Sequence, residues 1–192
     1  FYKDEKHPIT LSVPGYHNIY NALCVIATAI SHEVSIESIQ KALKEFTGAS
    51  RRFEYVGMVN DAKIFDDYAH HPTEIKVTLE AASKMNYDKL WVVFQPHTYS
   101  RTKALFNEFV DAFSLADNLI LIDIYAAREI DDGTVSSLDL ANEINKKYSN
   151  CLYIPTLEDV SKFLKENLKK DDLLLTIGAG SITKLGYMIK EN

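Results

Sequence analysis

From Arg51 onward, short apolar runs alternate with stretches of helical periodicity, and that alternation constrains the fold more than any other feature. Residues 53–59 and 62–65 flank Asn60-Asp61, a pair suited to a two-residue hairpin turn. Further apolar runs lie at 89–94, 119–123, 151–154 and 173–177. Helical patterns cover 72–85, 101–116, 137–147, 157–168 and 181–190. A strand that reads as a continuous apolar run is buried on both faces. This order therefore predicts an α/β domain with a mostly parallel sheet and helices on both faces.

Residues 1–50 have a different rhythm. A short extended piece at 9–13 precedes two helical patterns, 18–31 and a second one that follows Ser35 as N-cap. Ser38 and Gln40 stand in its first turns, and Ile39, Leu43 and Phe46 are expected on one face, with Gly48 and its small neighbours ending the helix. Two helices and one short strand cannot close a core. The division is therefore 1–50 as the tail of a domain and 51–192 as a complete one, which suits a length of 192 residues. The opening FYKDEKHP has neither an initiator Met nor a signal-peptide pattern, so the chain reads as cut from something longer.

Charge and cysteine usage narrow the function classes. Lys and Arg number 21 against 27 Asp and Glu, a formal net charge of −6, which argues against nucleic-acid phosphates or an acidic membrane as partners. The longest clear apolar run, 22–30, is about half a membrane span. Cys24 and Cys151 form no CxxC pair; both are expected as small buried hydrophobes in a reducing compartment, the cytoplasm by default.

In an open parallel sheet, ligands bind beyond the carboxyl ends of the strands. Four of those ends are rich in polar groups: Asp66-Asp67-Tyr68-Ala69-His70-His71-Pro72-Thr73-Glu74, then Gln95 through Thr102, then Ile124 through Glu129, then Gly178-Ala179-Gly180-Ser181. The fifth, Pro155-Thr156-Leu157, is a plain helix start. In the first segment Pro72 and Glu74 suit a helical first turn, and Asp67 or His71 could serve only as caps. An acid beside a His can also orient the imidazole or join it around a metal-bound phosphate. In the second, His97, Tyr99 and Arg101 precede or open a helix. A guanidinium is poorly placed there, so Arg101 should have an anionic partner, either a ligand carboxylate or an internal Asp or Glu. Gly178-Ala179-Gly180 lacks the third glycine and later acid of a dinucleotide fingerprint and reads as a tight turn. Near the front, Asn18 and Asn21 lie one helical turn apart, as caps or as donors and acceptors for a purine edge. None of the seven glycines begins a GxxxxGK(S/T) phosphate loop.

Taken in order, VPGYHNIYNAL (13–23), RRFEYVG (51–57), DDYAHHPTE (66–74), FQPHTYSRT (94–102), DIYAAREI (123–130) and TIGAGSI (176–182) resemble the Mur ligases, most of all the branch that joins L-alanine to UDP-N-acetylmuramate. The resemblance implies a three-domain enzyme using ATP and Mg²⁺. Residues 1–50 would end its central ATPase domain, and 51–192 would form a Rossmann-like C-terminal domain. The muramoyl carboxylate would be phosphorylated, and the amine would then attack the acyl phosphate.

It further implies nucleotide contacts from His17, Asn18, Asn21, Arg52 and Asp67. Tyr68, His70 and Arg101 would face the incoming amino acid, with Arg101 on its carboxylate and His97 behind. Arg52, Asp67 and His70 would serve catalysis, with no residue a direct metal ligand. Many family members have Arg where this chain has Thr98, which leaves more of the carboxylate to Arg101. A ligase of the same family for a preformed tripeptide and a non-catalytic α/β binding domain are the alternatives. The number of subunits is left open.

Overall fold

Alternate residues along each inner strand point to opposite faces, so an apolar run feeds two cores at once. The computed structural model describes residues 5–13 and 15–190, with His17 described by its backbone alone. It contains two compact units, 1–50 and 51–192.

The larger unit is built on a six-stranded sheet. Its strands are β1 (Glu54–Val59), β2 (Ala62–Asp67), β3 (Leu90–Phe94), β4 (Asn118–Leu121), β5 (Cys151–Tyr153) and β6 (Leu173–Ile177). They stand in the order β1-β2-β6-β3-β4-β5, with β1 antiparallel to β2 and all other pairings parallel. Asn60 and Asp61 both have positive φ and join β1 to β2 by the expected two-residue turn.

Leu90, Val92 and Phe94 point to one face, against Ile75 and Leu79 of α3 (Pro72–Ala82), Phe109 of α5 (Phe106–Val110) and Leu140 and Ile144 of α6 (Ser137–Lys147). Trp91 and Val93 point to the other, against Val160 and Leu164 of α7 (Leu157–Asn167) and Leu185 and Ile189 of α8 (Thr183–Ile189). The α/β reading, mostly parallel with helices on both faces, describes this unit.

Helix 101–116 needs correction. It begins earlier, as α4 (Tyr99–Ala104), and breaks at Leu105 before α5. Turns, not helix, follow from Asp111. Phe109 and Phe113, four residues apart, both pack on Phe94, with ring centroids 5.5 and 5.1 Å away.

The smaller unit holds α1 (Tyr16–Ser31) and α2 (Ile36–Glu45). Ser35 caps α2 through Ser38 N–H, as expected. Ala22, Ile39 and Leu43 are buried together, with Ile9 and Leu11 packed on them, although 9–13 forms no strand. Phe46 does not share their face: it is the C-cap residue and is exposed. The helix has already ended there, before Gly48. Cys24 is exposed on α1, while Cys151 is buried, with a thiol pushed up to about 12 by desolvation.

Candidate active site

The carboxyl ends of β2, β6, β3 and β4 are adjacent in the sheet, so their polar segments share one rim. At the end of β2 two buried acids do different work. Asp66 pairs with Arg51 Nε at 3.0 Å and accepts from the Thr176 hydroxyl at 2.6 Å. Arg51 also donates to the carbonyl of Gly178, which ties the approach to β1 to the ends of β2 and β6.

Asp67 accepts from Phe53 N–H and Ala69 N–H, each at 2.8 Å, and from Thr78 Oγ1 at 3.2 Å. Burial pushes its carboxyl above the usual range, against those hydrogen bonds and the nearby Arg52 charge. Both its oxygens are engaged internally. Its visible role is to clamp the Arg52-Phe53 segment to the end of β2, which leaves Arg52 exposed with its guanidinium 5.7 Å from the Tyr68 ring centroid.

His71 is the N-cap of α3, and its ring accepts from Thr73 N–H at 3.3 Å. Glu74 completes the capping box by accepting from the backbone of His71 and also from that of His70. The His70 ring has its Nδ1 3.0 Å from the Tyr68 carbonyl and 3.5 Å from Glu74 Oε2, and its centroid lies 5.4 Å from that of Tyr68 and 6.2 Å from that of His97.

At the end of β3, buried Gln95 donates to Ser181 Oγ at 3.2 Å and accepts from Ile182 N–H at 3.0 Å. The Gly178–Gly180 turn fits against it. A Cβ on Gly180 would stand 2.7 Å from the Tyr125 ring, so this glycine serves close approach rather than phosphate binding. His97 stacks on Tyr125 at 5.4 Å with 14° between the rings. Desolvation lowers its pKa, and the Arg101 charge lowers it further, which favours the neutral ring. Arg101 Nη1 donates to the His97 carbonyl at 2.7 Å and lies 3.4 Å from His97 Nδ1. With an arginine N–H against Nδ1, the hydrogen-bond network assigns the ring proton to Nε2.

Among the described residues no carboxylate pairs with Arg101. The acid near this helix start is Glu129, from the segment after β4. It accepts from the hydroxyls of Thr98 and Ser100 and from Ser100 N–H at 2.8 Å.

The structure thus brings Tyr68, His70, His97 and Arg101 together, with Arg52 reaching the group through Tyr68 and Asp67 buried beneath. Asn18 and Asn21 belong to the smaller unit, where Asn21 Nδ2 lies 3.4 Å from Asn18 Oδ1 on one face of α1. The side chain of His17 lies outside the described residues. Sequence reasoning missed Arg51, Asp66, Gln95, Tyr125 and Glu129 as structural partners of the site. Their only signal was position after a strand end or beside a motif residue. Among the described residues, no three His, Cys, Asp or Glu side chains gather as a metal site.

A mostly parallel six-stranded sheet with helices on both faces defines this unit as an α/β domain, with Arg52, His70, His97 and Arg101 on the rim of the sheet. The family model described as "Mur ligase, glutamate ligase domain" matches residues 51–180, and the chain belongs to the Mur ligase family. It is 51% identical over 178 residues to a UDP-N-acetylmuramate–L-alanine ligase of Lachnospira eligens, covering 93% of this chain and 39% of that protein. It is likewise 51% identical over 183 residues to one of Clostridium novyi, covering 95% of this chain and 40% of that protein. The chain thus spans about two fifths of the length of these curated relatives.

Among solved structures, the UDP-N-acetylmuramate–alanine ligase of Thermotoga maritima aligns with a TM-score of 0.75 and 28% identity, covering 94% of this chain and 38% of that one. A murein peptide ligase of Psychrobacter arcticus aligns with a TM-score of 0.72 and 27% identity, covering 97% of this chain and 39% of that one.

Proposed function

We propose that this chain is the C-terminal portion of an ATP-dependent ligase that joins L-alanine to UDP-N-acetylmuramate in peptidoglycan precursor synthesis. The observation that carries this reading is Arg101, a half-buried guanidinium on the rim of the sheet that donates to the His97 carbonyl and, among the described residues, pairs with no carboxylate. A planar cation held in that way is suited to the carboxylate of an incoming amino acid. His97 lies beside it, and Tyr68 and His70 border the same space.

The chemistry joins two activations. ATP transfers its γ-phosphoryl group to the muramoyl carboxylate and ADP leaves. The neutral amino group of alanine then attacks the carbonyl carbon of the acyl phosphate, inorganic phosphate leaves with the electrons of the broken C–O bond, and the nitrogen gives up one proton to solvent. Held by its carboxylate on Arg101, alanine keeps its nitrogen free to attack, so the site's contribution is chiefly positioning. Exposed Arg52 is a cation suited to phosphate oxygens on the nucleotide side, and Asp67 acts by holding the segment that carries it. His70, bordering the amine's approach, is assigned to the reacting side. The donor set of the described residues does not fit a metal site of its own, so Mg²⁺ is expected with ATP and no step is assigned to it through this chain.

Residues 1–50 are assigned to the end of the central nucleotide-binding domain, where His17, Asn18 and Asn21 would meet the adenine. The exposed Tyr16, Ile19, Tyr20 and Leu23 of α1 support that assignment, since they leave apolar surface for the rest of a domain core. No helix of the described residues is long and apolar enough to cross a membrane. The proposed nucleotide substrates support a cytoplasmic reaction.

The murein peptide ligase of similar fold makes a tripeptide the competing substrate, but the half-identical curated relatives are alanine ligases. The test is phosphate release by the full-length protein with ATP, Mg²⁺ and UDP-N-acetylmuramate, adding L-alanine, other amino acids or a tripeptide in turn. Release with L-alanine alone is expected. Release only with the tripeptide would move the protein to the other branch, and silence throughout would leave a binding domain.

A further inference from the structure

Arg101 is the third residue of the six-residue α4, so it stands in the first and last turns of that helix alike, and its guanidinium donates to the His97 carbonyl. The acid at this turn is bonded elsewhere. Glu129 reaches across from the segment after β4, 29 residues from Ser100 and 31 from Thr98 in sequence, and caps the helix. Its Oε2 takes Ser100 N–H, and its Oε1 takes both hydroxyls. Thr98, the N-cap residue, makes no cap bond of its own, and its hydroxyl donates to Glu129.

We propose that Glu129 is a positioning residue for the amino-acid carboxylate: it fixes the first turn of α4 so that Arg101 stands over the His97 carbonyl with its charge uncommitted. This rests on the reading of Arg101 given above. These hydrogen bonds hold the Glu129 carboxyl down at about 2, so it is ionised throughout the working pH range. Separating the two jobs is the physical point. An acid bonded directly to the guanidinium would compete with the substrate, whereas an acid bonded to the helix start stabilises the same turn and leaves the fork open.

The test uses the full-length ligase and steady-state kinetics. Glu129→Gln keeps one acceptor oxygen for the hydroxyls but turns an amide toward Ser100 N–H. The expected result is a KM for alanine raised roughly 10-fold, with kcat and the KM for ATP within about twofold, because a displaced binding group weakens the ground state and the transition state alike. Glu129→Asp is expected to recover part of the loss. In an Arg101→Ala background, Glu129→Gln is expected to add nothing further to the alanine requirement, since its effect passes through Arg101.

Additive effects in the double variant, or equal losses for alanine and ATP, would overturn the proposal and leave Glu129 as a fold residue. An unchanged alanine KM in Glu129→Gln, while Arg101→Ala raises it, would overturn the proposal alone. An unchanged alanine KM in Arg101→Ala would overturn the underlying reading and this inference with it.

Discussion

Arg101 and His97 form a pair in which each sets the other's chemistry. The imidazole gives the guanidinium a fixed neighbour, and the guanidinium helps keep the imidazole neutral. Because desolvation is the larger cause, the His97 pKa is expected to lie below its ordinary value even without the arginine. A proton NMR titration of the single ring in the wild-type protein and in Arg101→Ala checks this. The midpoint is expected below 6.5 in both, and higher in the variant. A depressed imidazole pKa also fixes the sign of its linkage to folding: the contribution is complete above pH 6.5 and is lost as pH falls below it. A midpoint that stays put in Arg101→Ala would separate the two groups electrostatically.

At the scale of elements, the turn after β6 is the least forgiving. Gly178 has φ of +146°, and a Cβ there would stand 2.8 Å from the Gln95 carbonyl oxygen. Gly178→Ala is expected to cost about 2–3 kcal/mol in urea unfolding, from backbone strain and overpacking together. A loss below about 0.5 kcal/mol would mean that the turn relaxes freely.

This element also shows what the sequence could and could not convey. β3 and β6 were legible because strands buried on both faces leave continuous apolar runs, and α3 because His71-Pro72-Thr73-Glu74 is a local capping pattern. The break at Leu105 was not, because no Gly or Pro marks it and helical periodicity continues past it. The rim residues Tyr68, His70, His97 and Arg101 were found from strand ends and motif resemblance. Glu129 escaped because its bonds join segments about 30 residues apart, and local pattern has no access to such a pairing. Asp67 was singled out from the motif, while its three hydrogen bonds to Phe53, Ala69 and Thr78 join segments that local pattern does not connect.

At the scale of the molecule, residues 51–192 carry a core on each face of the sheet, whereas residues 1–50 bury only a small cluster between two helices. Residues 51–192 produced alone are expected to unfold in one cooperative transition, and residues 1–50 alone to show none. A broad, non-cooperative melt of the larger piece would show that its two cores are not self-sufficient. The 192-residue chain is expected to give no ligase turnover, because it contains no phosphate loop. The central claim is that this domain receives the amino acid through Arg101. Its most direct test is the apparent KM of the full-length enzyme for L-alanine and for ATP, in wild type and in Arg101→Ala. Loss of a charge-assisted pair predicts an alanine KM raised about 100-fold, with the ATP value within about threefold. Equal changes in both, or none in either, would contradict it.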